Sequence, residues 1–353
     1  MSSFVKIDNR LIGEGYPAYI IAEIGINHNG DPEIARRLID VAADAGADAV
    51  KFQKRTTREI LTRAGYDRPY ESENAYAPTY GQHRDKLELS HDAYRDLFRH
   101  ALSKGIHFLA SVWDPTSANF IDELGSPAFK IPSPDIINLP LLAHVAKKGK
   151  PMIVSTGMST MEEIEEAVDT VHKNGNPPLI LLHCVSTYPC ENSDVNLRVM
   201  HQLRDRFDVP VGYSGHDRGV AIPAVAVALG ASVVEKHITL DRAMKGSDHS
   251  ASLEPEGLKR VVRYIRNAEA AMGDGRKRIL DSEVPIRAKL AKSIATARAI
   301  PRGAVITAAM LTVKSPGTGL KPAYLPRIIG RRAALTLEEN VLFPLEALEW
   351  PEA

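Results

Sequence analysis

Two histidines close neighbouring apolar runs of this chain, His216 after VGYSG and His237 after VVEK. A pair of imidazoles delivered to one rim can share a divalent cation. A lone histidine is more often a satisfied structural group than a ligand; two at adjacent run ends, with Glu235 and Asp248 nearby, reverse that preference. Only two nitrogen donors are on offer, so water and substrate oxygens must complete an open coordination sphere. That suits Mn²⁺ or Mg²⁺, with Co²⁺ a further candidate, better than a closed structural zinc. Lys51 and Lys130 lie inside earlier runs, and Ser111, Ser133, Ser155 and Ser214 add hydroxyls from others. Burying two ammonium groups without anions is costly, so a ligand carrying a phosphate and a carboxylate is the simplest account of them. Pairing with Glu23 and Glu235 is the alternative, adequate for one lysine and strained for both. Glu23 itself feels desolvation that raises its pKa and lysine charge that lowers it, and the sequence leaves the sum unsigned.

Bringing these residues to one place requires a particular order of elements. The runs AYIIAEIG, DAVKFQK, HFLASVWD, AFKIPS, MIVSTG, LILLHC, VGYSGH and VVEKHI read as strands. Stretches of helical period such as PEIARRLIDVAADAG and MEEIEEAVDTVHKNG separate them, so β-α repeats eight times. That is the pattern of an α/β TIM (β/α)₈ barrel, whose active site sits at the carboxyl ends of its strands. Glu23, Lys51, Gln53, Ser111, Lys130, Ser133, Ser155, His183, Ser214, His216, Glu235 and His237 then ring one mouth. In the first helix Ile34, Leu38, Val41, Ala42 and Ala45 form the expected apolar stripe, punctuated by Pro32 and Gly46.

At 353 residues the chain exceeds the roughly 250 of a typical barrel, so a small second domain is expected. The boundaries read as a barrel over 1–273, a charged linker over 274–288 and a β-rich tail over 289–353, with strand-like runs SIATARAI, AVIT and RRAALTL. The long connection from Thr56 to Ser90 is a candidate lid carrying Arg68, His83, Arg84 and Lys86. Lys+Arg and Asp+Glu both number 44, which argues against an electrostatic grip on nucleic acid or a polybasic membrane surface. No run approaches the roughly 18 apolar residues of a membrane span, and MSSFVKIDNR lacks signal-peptide order, so a cytoplasmic address is expected. Cys184 and Cys190 read as buried free thiols.

The segments IIAEIGINHNGD, VKFQK, FKIPS, KPMIVSTGM, YSGHDRGVAIPAVAVALGA, EKHITLD and KGSDHSASLEP resemble the sialic acid synthases over almost the whole chain. The tail KSIATARAIPRGAVITAAMLTVKSPGTG resembles their C-terminal antifreeze-like (SAF) domain. The resemblance implies condensation of phosphoenolpyruvate with an N-acylmannosamine or its 6-phosphate, giving a sialic acid or its 9-phosphate and inorganic phosphate. It places metal ligands on His216 and His237, and phosphoenolpyruvate contacts on Lys51, Ser111, Lys130, Ser133, Ser155 and Ser214. Sugar contacts fall on Gln53, Tyr188 and Asp248, with Glu235 counted among the substrate-binding residues, and the acid/base on Glu23. It also implies a domain-swapped homodimer.

Departures from the family concern the acceptor. Many bacterial members read K-R-P-G-N-G in the tail, whereas this chain has Lys314-Ser315-Pro316-Gly317-Thr318-Gly319 and so lacks that arginine. Pro132-Ser133-Pro134 replaces G-S-G, and Ser186 replaces a common asparagine. The stretch TYGQHRDKLELSHDAYRDL resembles the animal-type enzymes that take a 6-phosphorylated sugar, and Arg68, Arg84, Lys86 and Arg287 are candidate phosphate receivers. Other readings are a synthase for a related nonulosonic acid (Kdn or legionaminic acid), a 3-deoxy-sugar acid synthase of another barrel family and a pyruvate-dependent metal aldolase. A Schiff-base lysine barrel and a non-catalytic sugar-phosphate binding barrel complete them.

Overall fold

The computed structural model describes residues 4–348, and the chain divides into two compact units, 1–273 and 274–353. The first unit begins with an antiparallel hairpin of β1 (Phe4–Ile7) and β2 (Arg10–Gly13). The eight expected strands follow as β3 (Tyr19–Gly25), β4 (Ala49–Lys54), β5 (His107–Val112) and β6 (Phe129–Ile131). They continue as β7 (Met152–Ser155), β8 (Leu179–Cys184), β9 (Val211–Gly215) and β10 (Val233–His237). All eight pair in parallel and close on themselves when β10 joins β3, with His237 opposite Glu23.

Alternation along these strands sorts the side chains. Ile20, Ala22, Val50, Phe52, Phe108, Ala110, Val154, Leu181 and Val234 face outward into one large core shared with the helices. Tyr19, Ile21, Ala49, Leu109, Ile153, Ile180, Leu182 and Val233 face inward and make a second, smaller core. Val5, Ile7 and Ile12 of the hairpin belong to that inner core. The hairpin thus plugs the end of the barrel at which the strands begin. Burying each such side chain contributes roughly 1.5–3 kcal/mol, yet four-residue runs leave too short a pattern for the hairpin to be read from sequence.

The helix Pro32–Ala45 starts on Asp31, whose carboxylate accepts from the Glu33 N–H, and ends at Gly46 with φ 82°. Its buried face is Ala35, Leu38, Ile39, Ala42 and Ala45, rotated from the expected stripe. Ile34 packs at the margin of the core and Val41 is half-buried. Three alanines on the buried face let the backbone lie close on the sheet, which leaves the bulkier Ile34 and Val41 to the flanks. The final helix of the unit, Pro255–Met272, stops at Gly273.

The long connection after β4 contains three short helices, Thr57–Ile60, Arg63–Asp67 and Tyr80–Leu87. It clasps the loop after β10: the Tyr76 hydroxyl donates to the Lys245 carbonyl at 2.5 Å, and the Gly246 N–H to Asn74 Oδ1 at 3.0 Å. In the second unit β11 (Ser293–Thr296) pairs antiparallel with β12 (Leu311–Lys314) over a core that includes Ile294, Ile300, Ile306, Ile328, Leu337 and Phe343. AVIT and RRAALTL, expected as strands, make only isolated bridges such as Val305 to Arg332 and Ile300 to Leu337. The closely spaced turns of so small a core interrupt any longer ladder. The stretch expected as a linker holds a helix, Val284–Leu290.

Candidate active site

The same alternation that fills the barrel floor assembles its mouth. One pleat beyond the apolar floor come Glu23 on β3, Lys51 and Gln53 on β4, Ser111 on β5, Lys130 on β6 and Ser155 on β7. Cys184 ends β8, Ser214 lies on β9, and β10 contributes Glu235 and His237. With Ser133, Tyr188, His216 and Asp248 from the loops that follow β6, β8, β9 and β10, they line one cavity of about 280 Å³.

His183 is the exception, and parity explains it. Ile180, Leu182 and Cys184 face inward on β8, so His183 faces outward, where its Nε2 sits 2.6 Å from the Val195 carbonyl oxygen. Lys236 is likewise turned out of the barrel, onto Asp217 at 3.1 Å. Of the lid cations only Arg84 reaches the mouth. Arg68 lies over the Tyr80 ring, His83 is buried against Tyr70, and Lys86 is exposed. Arg287 belongs to the second unit.

The charges in the mouth interlock. Lys51 Nζ sits 2.6 Å from Glu23 Oε2 and donates to Ser111 Oγ at 2.7 Å, with Glu235 Oε2 at 3.8 Å. Lys130 Nζ donates to Ser155 Oγ at 2.7 Å and lies 3.8 Å from Glu235 Oε1, which also accepts from Ser214 at 2.9 Å. Lys51 therefore has the intramolecular partner foreseen for one lysine, while Lys130 is only loosely compensated. Burial pushes the Glu23 carboxyl up to about 7, with Lys51 opposing and the Glu235 charge adding to the rise. Against its own burial, Glu235 is brought down to about 2 by Lys130 and Lys51. Two buried carboxyls whose pKa values are driven apart are the arrangement that separates an acid/base group from a fixed charge.

The imidazoles of His216 and His237 have centroids 5.4 Å apart, and the Tyr188 ring lies against His216 with centroids 3.9 Å apart and planes tilted by 33°. His216 Nδ1 is engaged by the Val185 carbonyl at 2.6 Å, which leaves Nε2 for another partner. His237 Nδ1 is buried without a hydrogen-bond partner, and burial with the His216 charge keeps this ring well below the usual imidazole range. His216 is shifted the other way, its pKa raised against burial by the neighbouring Cys184, so it is His237 that offers a neutral, unsatisfied imidazole of the kind a divalent cation can use. Among the described residues no group of three or more His, Cys, Asp or Glu side chains is placed to hold a metal ion.

Gly25 is required where β3 enters the mouth. It has φ +56°, and a Cβ there would lie 3.2 Å from Glu23 Oε1 and 3.4 Å from both Gln53 Nε2 and His237 Cε1. Sequence reasoning gave no place in the site to Trp113, and read Cys184 only as a buried thiol, yet both line the cavity, as does Ser186, noted there as a departure from the family. Cys184 lies 3.8 Å from His216 Nδ1 and 3.6 Å from Ser133 Oγ. Counting in twos back to Ile180 was the available signal for it.

A NeuB family model matches residues 38–277, and a SAF domain model matches residues 291–349. The N-acetylneuraminate-9-phosphate synthase of Homo sapiens is 45% identical over 333 residues, covering 94% of this chain and 92% of the relative. The N,N'-diacetyllegionaminic acid synthase of Legionella pneumophila is 41% identical over 342 residues, covering 96% and 95%. Among solved structures, the N-acetylneuraminic acid synthetase of Leptospira borgpetersenii in complex with citrate gives a TM-score of 0.72 at 35% identity, over 81% of this chain and 95% of that one.

Proposed function

The chain belongs to the NeuB family, and from that premise and the geometry of the mouth we propose that it condenses phosphoenolpyruvate with N-acetylmannosamine 6-phosphate, releasing inorganic phosphate and a sialic acid 9-phosphate. The observation that carries this is the convergence in one cavity of two lysine-serine pairs, Lys51 with Ser111 and Lys130 with Ser155, beside two imidazoles and a carboxyl of raised pKa. The lysines and the hydroxyls of Ser111, Ser133, Ser155 and Ser214 bind the phosphate and carboxylate of phosphoenolpyruvate, displacing Glu23 as the partner of Lys51. Gln53, Tyr188, Glu235 and Asp248 orient the open-chain sugar. His216 and His237 would hold a divalent cation, Mn²⁺ by preference, which would supply Lewis acidity to activate the acceptor's aldehyde.

Carbon 3 of phosphoenolpyruvate forms the new bond to the aldehyde carbon, water adds to carbon 2, and the bond between carbon 2 and the phosphate oxygen breaks. Glu23 moves a proton to the new hydroxyl or from the incoming water, a task to which a carboxyl titrating near neutrality is matched. Lys51 and Lys130 stabilise the departing phosphate.

Mass spectrometry of products from phosphoenolpyruvate and a panel of acceptors tests this: N-acetylmannosamine, its 6-phosphate, mannose 6-phosphate and a diacetamido sugar. The expected product carries the 9-phosphate, and ¹⁸O in the bridging position of phosphoenolpyruvate should appear in inorganic phosphate. Pyruvate as the productive donor would exclude the reading. The legionaminic relative is the reason the diacetamido sugar belongs in the panel. The reading includes a cytoplasmic address and a homodimer in which the tail completes a neighbour's site. Support for the dimer is the small tail core, which gains from a docking surface. Truncation at Ser282 should leave a folded, nearly inactive barrel; full activity in a truncated monomer would refute the dimer.

A further inference from the structure

A second cavity of about 200 Å³ adjoins the barrel mouth and shares Arg84, Trp113 and Pro134 with it. Arg55, Tyr80 and Asp135 add to its polar wall. Arg55 follows directly on β4 and is 2% exposed. Its Nε donates to Glu88 Oε1 at 2.6 Å, while its Nη2 is buried with no hydrogen-bond partner. Glu88 is also shared with Lys54 at 3.3 Å, so one carboxylate serves two cations. Trp113 Nε1 is a second buried donor without a partner, and the Arg55 guanidinium lies 5.4 Å from the Trp113 ring. Arg84 donates to the Tyr80 hydroxyl through Nε and Nη2, and no described carboxylate forms an ion pair with it.

Buried donors in native proteins are almost always satisfied, so orphans gathered on one wall call for an acceptor. Water can serve the neutral indole, but it brings no charge to two guanidiniums, one of which shares Glu88 with Lys54 while the other has no ion-pair partner among the described residues. Asp114 is used by Thr56 and Ser117. Asp135 Oδ1 accepts from Asn138, and its Oδ2 is left without a donor. Burial raises the Asp135 carboxyl to about 6, and an anion bound beside it would raise it further, towards the protonated form that can donate. The anionic groups of phosphoenolpyruvate have Lys51 and Lys130 deeper in the barrel. What remains for the arginines is a third anion, carried by the other substrate.

We propose that this side cavity is the subsite for the phosphate monoester at the far end of the acceptor, with Arg55 and Arg84 supplying charge-assisted hydrogen bonds and the Trp113 indole a neutral donor. The inference rests on the condensation reading and adds to it which residues select a phosphorylated acceptor. The planar fork of a guanidinium matches phosphate oxygens, and two of them at one wall distinguish a dianionic ester from a hydroxyl.

The test compares kcat/KM for N-acetylmannosamine 6-phosphate and for N-acetylmannosamine in the full chain and in Arg84→Gln, Arg55→Lys and Trp113→Phe, with KM for phosphoenolpyruvate measured alongside. Trp113→Phe removes one N–H while keeping an aromatic ring, so it remains informative if the Arg55 variant fails to fold. Expected is a preference of the full chain for the phosphorylated acceptor. That preference should drop by tenfold or more in Arg84→Gln and by a few-fold in Trp113→Phe, with KM for phosphoenolpyruvate unmoved. Equal losses on both acceptors in these variants would overturn the subsite while leaving the condensation intact. So would a full chain that favours the free sugar. Absence of condensation with any acceptor would instead remove the reading on which the subsite rests.

Discussion

The two halves of the barrel are built by the same strands and the same alternation, yet they do opposite things. At the end where the strands begin, Ile21, Ala49, Leu109, Ile153 and Val233 pack with Val5, Ile7 and Ile12 into an apolar floor. Two residues further on, the same strands offer Glu23, Lys51, Ser111, Ser155 and Glu235, linked by ion pairs and hydrogen bonds. A single pleat repeat separates stabilising burial from groups whose burial is unfavourable without partners. The floor holds the strands in register, and the mouth uses that rigidity to keep buried charges at fixed distances.

The comparison breaks most visibly at the imidazoles. Chelation is expected to abolish turnover and added Mn²⁺, Mg²⁺ or Co²⁺ to restore it. The double variant His216→Ala, His237→Ala should be inactive with an unchanged far-ultraviolet circular dichroism spectrum. Wild-type turnover in that variant would remove the metal assignment. Next in size is Glu23→Gln, expected to lower kcat by about 100-fold or more while binding phosphoenolpyruvate normally, as for a lost acid/base group. Isothermal titration with phosphoenolpyruvate and steady-state rates check both halves of that statement.

On the floor the effect should fall on stability. Leu109→Ala is expected to destabilise the barrel by about 2–5 kcal/mol, read as a lower urea midpoint, with KM for phosphoenolpyruvate unchanged in the folded fraction. A large KM change without loss of stability would mean that floor and mouth are not separable. The smallest effect concerns Asp135, raised by burial to about 6. Its folded pKa lies above the unfolded value near 3.9, so the folded state holds the extra proton between the two. This group's contribution is therefore most favourable at low pH and is lost as pH rises through that window. Urea midpoints from pH 4 to 7 should accordingly decline less, or rise more, in Asp135→Asn than in the wild type. Parallel profiles would show that this carboxyl is not perturbed.

Much of this is legible in the sequence. The eight runs correspond to β3 to β10, and the expected residues of the mouth line a single cavity apart from His183. His183 misled because it precedes the inward position by one residue, and only counting from Ile180 separates it from Cys184. The hairpin was invisible for a different reason, since its partners Leu109 and Ile180 lie far along the chain and its own strands are too short to carry a period.

Strand order, the alternation of faces and the family of the mouth's residues were determined by the sequence alone, because hydrophobic period and the β-α repeat are local properties of the chain. The tertiary structure decided which charges meet. It placed Lys51 against Glu23 at 2.6 Å but Lys130 against Ser155 at 2.7 Å, signed the Glu23 shift upward, and left Arg55 Nη2 without a partner beside Arg84. Pairing distance and desolvation belong to residues tens or hundreds of positions apart, and they take values only when the barrel closes.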